Sequence, residues 1–76
     1  MQAKRFEVQV QQPPQGRAEG RWETLPKWFD TLVEAQSEAA HCIEDDRYAF
    51  GWTRNYRVVE AVAGAGGLVF RIPVEG

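Results

Sequence analysis

Thr31-Leu32-Val33-Glu34-Ala35-Gln36-Ser37-Glu38-Ala39-Ala40-His41-Cys42-Ile43-Glu44-Asp45-Asp46 is the stretch on which the fold turns. Thr31 with Glu34 three residues on is a capping box: the threonine side chain accepts a free backbone N–H, and the glutamate reaches back to the N–H of the cap. Asp30, just outside, places negative charge where the helix dipole is positive. At 100° per residue, Leu32, Ala35, Ala39, Cys42 and Ile43 fall in one arc, and Glu34, Glu38, His41 and Asp45 fall in the opposite one. The segment therefore predicts a helix from about Thr31 to Asp46. It packs through small residues, with Ala35 and Ala39 allowing close approach to a sheet, and it shows carboxylates to water.

Strand patterns lie on both sides. Phe6, Val8 and Val10 alternate with Glu7, Gln9 and Gln11, so a half-buried strand is expected from about Lys4 to Gln12, ended by Pro13-Pro14-Gln15-Gly16. Arg21-Trp22-Glu23-Thr24-Leu25 reads as a second strand with Trp22 toward the core, and Pro26 is expected to stop it. Downstream, Asp45 to Asn55 has no clean period and reads as an ordered loop. Tyr56-Arg57-Val58-Val59-Glu60-Ala61-Val62 and the alternating Leu68, Phe70, Ile72 and Val74 form a second hairpin across Ala63-Gly64-Ala65-Gly66-Gly67, with Pro73 placing the last strand at an edge of the sheet or lying at its frayed end. The expected architecture is a single α+β domain over residues 1–76, a two-layer ββαββ arrangement with a mainly antiparallel sheet on one amphipathic helix.

Size and composition narrow the function. A 76-residue chain has room for one core, and a domain of this size buries only about 60% of its unfolded surface. Nine aromatic residues or self-association can compensate. The one cysteine, Cys42, forms no intramolecular disulfide and no CxxC site, which fits a reducing cytoplasm. The N-terminal Met-Gln-Ala-Lys-Arg leads directly into a strand pattern, so neither a signal peptide nor a membrane partner is expected.

The net charge of −2 is unlike the basic surplus of a general nucleic-acid binder. Its distribution is uneven. Lys4, Arg5, Arg17, Arg21 and Lys27 against Glu7, Glu19 and Glu23 leave residues 1–29 at +2. Asp30, Glu34, Glu38, Glu44, Asp45 and Asp46 leave residues 30–46 at −6. Arg47, Arg54, Arg57 and Arg71 against Glu60 and Glu75 leave residues 47–76 at +2.

Across Trp22 to Glu60 the chain resembles small orphan proteins encoded by tailed bacteriophages and prophages. The resemblance rests on Trp22 in a strand, on Phe29-Asp30-Thr31-Leu32-Val33-Glu34-Ala35 opening an Ala-rich helix, and on Tyr56-Arg57-Val58-Val59-Glu60 as the return strand. It implies a non-enzymatic role in a bacterial host cytoplasm, commonly binding and inhibiting a host protein. It assigns no functional residue.

No catalytic residue, metal ligand or cofactor is expected. His41 and Cys42 are the only His and Cys, and neighbouring helical side chains diverge by about 100°, so they do not form a nucleophile pair. Cys42 reads as a small core residue and His41 as a solvated one. The pairs Glu34/Glu38 and Asp45/Asp46 lie on a convex face rather than in a pocket. Gly64-Ala65-Gly66-Gly67 lacks the Lys-Ser/Thr of a phosphate loop and reads as a turn.

Two surfaces remain. The acidic helix face is a solvated face, a dock for a partner protein with a basic surface, or a set of carboxylates paired with the flanking arginines. The docking reading uses Glu34, Glu38 and Asp45, with Trp52 as an anchor. Alternatively, Arg47, Trp52, Arg54 and Arg57, among Tyr48, Phe50 and Tyr56, could stack on unpaired bases and hold phosphates, a reading disfavoured by the net charge. Most of these aromatics are otherwise expected to close the core at the helix end, with Trp52 partly exposed.

Overall fold

The protein is described here from a computed structural model covering residues 4–74. The element order is β1 (Arg5–Gln11), β2 (Trp22–Phe29), α1 (Leu32–Phe50), β3 (Tyr56–Ala63), a short 3₁₀ turn (Ala65–Gly67) and β4 (Val69–Pro73). The strands form one antiparallel sheet in the order β2-β1-β3-β4, with α1 packed across β1, β2 and β3. This is the expected α+β arrangement. β1 lies in the middle because it alternates apolar residues toward the helix with residues that are polar yet also buried.

Phe6, Val8 and Val58 from the sheet and Ala35 from the helix form the core, with Leu25, Phe29, Leu32, Ala39, Tyr56 and Val74 packed around it. Ala35 is fully buried, so a methyl side chain sets how closely α1 sits on the sheet. The registers Val8↔Val58, Phe6↔Phe29 and Phe6↔Glu60 put these side chains on the helix side. One-residue offsets put Glu7, Gln9, Trp22, Trp28, Arg57 and Arg71 on the side facing away from it.

Several boundaries differ from the sequence reading. The helix continues past Asp46 to Phe50, so the loop expected from Asp45 is helical in its first half. Gly51 ends it in the left-handed conformation (φ 76°), its N–H bonded to the Arg47 carbonyl. A glycine takes this backbone without the Cβ strain other residues meet. At the other end Thr31 Oγ1 accepts the Glu34 N–H at 3.2 Å. The Glu34 carboxylate accepts the Thr31 hydroxyl (2.9 Å), in place of the cap backbone N–H that a full capping box would use.

Pro26 does not stop β2. The register passes from Glu7↔Trp28 to Gln9↔Thr24, so Leu25, Pro26 and Lys27 bulge out opposite Val8 alone. β2 is an outer strand, where the missing N–H of a proline costs no ladder bond. The bulge also keeps Leu25 in the core cluster while Trp22 faces away from the helix, which corrects the expectation that Trp22 joins the core.

Candidate functional site

The outer face of α1 carries Glu34, His41 and Asp45 exposed and Glu38 partly covered. Because the helix runs on, Tyr48 extends the same stripe at the 4,3,4,3 spacing that keeps residues on one face, and it is 96% exposed. Glu38 meets Lys27 of β2 at 3.3 Å. Glu34 is engaged at the helix cap. Two further acidic residues of that end are off the stripe: Glu44 is exposed beside it, and Asp46 is turned inward.

Asp46 is buried at the inner side of the last helical turns, where its carboxylate accepts the Arg54 backbone N–H (3.1 Å), Arg54 Nε (3.3 Å), Arg54 Nη2 (3.2 Å) and the Tyr56 hydroxyl (2.8 Å). The Arg54 hydrogen bonds hold its acid well below the ordinary range, at about 2. Burial together with the bond to Asp46 pushes the Tyr56 hydroxyl up. Intramolecular pairing therefore accounts for part of the negative segment.

Trp52 is exposed, as expected, but it leaves the acidic stripe. It stacks obliquely on Phe50, with centroids 5.7 Å apart, and it borders a hollow with Pro13, Pro14 and Asn55. Phe50 lies about 160° around the helix from Glu34 at 100° per residue. Tyr48, Phe50 and Trp52 all remain exposed, so the expectation that most aromatics of this segment close the core is corrected. Only Tyr56 of the group packs there.

The Arg/aromatic set is likewise divided. Arg54 turns to Asp46, Arg47 is exposed in the last turn of α1, and Arg57 lies on the helix-free face of the sheet, its guanidinium 4.1 Å from the centre of the Trp22 ring. That face holds a second such pair, Arg5 over Trp28 at 4.9 Å. Between them Arg57 Nε donates to Gln9 Oε1 (2.8 Å), Gln9 Nε2 donates to Thr24 Oγ1 (3.0 Å), and Arg71 Nε donates to Glu7 Oε1 (3.1 Å). These contacts explain why Glu7 and Gln9 are buried on a face no helix covers. No buried side-chain nitrogen or oxygen among the described residues is left without a partner.

Two features of this site were not drawn from the sequence. Tyr48 continued a period that was already visible through Asp45. The Trp28, Arg5 and Arg71 contacts depend on which strands lie side by side, and no local pattern carries that.

Cys42 is half-buried, and burial together with Glu38, Asp45 and Asp46 raises its thiol above the ordinary value. That is the opposite of an activated nucleophile. Among the described residues no group of three His, Cys, Asp or Glu side chains is arranged to hold a metal ion, and no helix is long and apolar enough to cross a membrane. No family model, curated protein or solved structure matches the chain.

Proposed function

We propose that the chain is a non-catalytic protein-binding module that docks the outer face of α1 on a basic surface of a partner protein. The observation that carries this reading is the stripe Glu34, Glu38, His41, Asp45 and Tyr48, which ends in a tyrosine 96% exposed. Surface ion pairs contribute only about 0–1 kcal/mol, so Lys27 leaves most of the stripe's negative character available to a partner. Complementary charge speeds encounter and selects the partner, while a tyrosine supplies contact area at low entropic cost. Tyr48 takes the anchoring role that the sequence reading gave to Trp52.

The phage resemblance extends the reading: the partner is a bacterial host protein, inhibited because its basic site is occupied. This needs no catalytic group or cofactor on the module. The test is a pull-down from bacterial lysate in which a partner identified with the wild-type chain is offered to Glu34→Lys/Glu38→Lys/Asp45→Lys and to Tyr48→Ala. Loss of capture by the triple variant with an unchanged circular-dichroism spectrum supports the reading, and retained capture refutes it.

A second reading has its own observation, the two arginine–tryptophan pairs on the helix-free face. Single-stranded nucleic acid could lay phosphates on Arg5 and Arg57 and bases beside the Trp22 and Trp28 rings. A mobility-shift titration at low salt, where phosphate contacts are strongest, removes this reading if no complex forms.

A further inference from the structure

We infer that a second copy of this chain pairs with the outer edge of β4, antiparallel and centred on Phe70, so that two sheets join into one. The starting point is exposure. Leu68, Val69, Phe70 and Ile72 are each more than half exposed, and Val62 beside them on β3 is also exposed. Phe70 and Ile72 pair with Val62 and Glu60, which places them on the helix side of the sheet, yet every residue of β4 is exposed.

The hydrogen bonds fix which backbone groups are free. The Gly64 N–H bonds to the Leu68 carbonyl (2.7 Å), and the Val74 N–H bonds to the Val58 carbonyl (2.9 Å). In an antiparallel ladder, bonded and non-bonded pairs alternate. Phe70, Ile72 and Val74 therefore turn their amides toward β3, the Leu68 N–H bonds to the Ala65 carbonyl of the turn, and Val69, Arg71 and Pro73 turn theirs outward. Pro73 has no N–H, so the open donors of this edge are those of Val69 and Arg71.

That arrangement is self-complementary about Phe70. With the two-fold axis there, Val69 and the second copy's Arg71 exchange both N–H···O bonds, and so does the symmetric pair, leaving Pro73 outside the ladder. Phe70 meets the second copy's Phe70, and Leu68 meets the second copy's Ile72, in non-bonded pairs where side chains approach most closely. Centring the axis on Arg71 instead would set two guanidinium groups opposite each other and turn the Val69 carbonyl toward a proline. Arg71 in the favoured register keeps its ion pair with Glu7.

The pairing takes from water, on each copy, four apolar side chains that are more than half exposed together with the open edge backbone; a specific interface needs about 1,000 Å² in all. A chain whose core contains only six buried apolar residues among those described gains proportionately from such an addition.

Sedimentation equilibrium of the full chain from about 10 μM to 1 mM tests the pairing. The expected mass rises from 8.7 kDa toward twice that value, and Val69→Pro weakens dimerisation at least tenfold. The substituted N–H points away from β3, and Leu68 (φ −71°, ψ 144°) already has the backbone that precedes a proline, so the monomer fold is retained. A mass of 8.7 kDa throughout overturns the proposal and leaves the edge for a strand of another protein. A dimer indifferent to Val69→Pro overturns it as well. Should Val69→Pro fail to fold, the register is read in a Cys42→Ser background: Phe70→Cys cross-links to itself on oxidation, whereas Ile72→Cys, facing the second copy's Leu68, does not. Equal cross-linking of both refutes the pairing.

Discussion

Asp46 and Arg54 are joined at three donors, the backbone N–H and two guanidinium nitrogens of one residue reaching a single carboxylate. The pair ties the last turns of α1 to the segment entering β3, and Tyr56 completes it from the strand itself. Arg54 thereby also lies 5.8 Å from the Tyr56 ring centre.

This relationship makes stability fall on the acid side. The folded acid of Asp46 lies at about 2, below its unfolded value of 3.8, so its contribution is fully present above pH 3.8 and disappears as pH falls through about 2. Urea unfolding midpoints measured across that window should drop for the wild-type chain. In Asp46→Asn the midpoint is lower at neutral pH and the acid-side fall is shallower.

Ala35 gives a packing prediction. It is fully buried between α1 and the sheet, and a larger side chain must push the helix outward. Ala35→Leu should cost about 1–3 kcal/mol, read as a lower denaturant midpoint at unchanged slope.

Gly51 isolates a backbone effect from a packing one. Its φ is +76° and a Cβ there would meet nothing within 4 Å, so the cost of Gly51→Ala is conformational, about 1 kcal/mol. Gly20 is the contrasting case. A Cβ at Gly20 would lie 1.5 Å from the Gln12 carbonyl oxygen, so Gly20→Ala should disrupt the base of the β1–β2 hairpin, seen as lost amide protection at Gln12, whose N–H bonds to the Arg21 carbonyl.

Cys42 should react sluggishly. Its raised thiol and partial cover predict slower modification by a disulfide reagent at pH 8 than for a free cysteine, with denaturant restoring the ordinary rate. A folded-state rate equal to that of free cysteine would contradict this placement.

Removing the guanidinium over Trp22 has an optical consequence. Arg57→Ala should shift tryptophan emission to the red as the ring gains water, with a loss of about 0.5–1 kcal/mol of stability.

Much of the fold could be read from local pattern because its signals are local. The Thr31–Glu34 cap, the alternation through Phe6, Val8 and Val10, and Pro73 on an outer strand each depend on a few neighbouring residues. What escaped depended on distant partners. The helix end is obscured because Asp45 to Asn55 shows no clean period, although Gly51 is itself a stop signal. Pro26 looked like a terminator because nothing local shows that β2 is an outer strand with a bulge. The acidic stripe was visible, but that Asp46 belongs to Arg54 and Tyr56, and that Arg57 lies over Trp22, follows only from strand order and register.

The bulge at Leu25, Pro26 and Lys27 makes the two borders of the sheet unequal. β2 presents a broken line with a missing donor, a poor template for another extended chain. The pairing inferred for β4 would consequently have nowhere to propagate: with two copies joined, both remaining borders would be the interrupted ones. Such an assembly would end in a closed pair, and the same kink that moves Trp28 into register with Glu7 would keep it from growing into fibres.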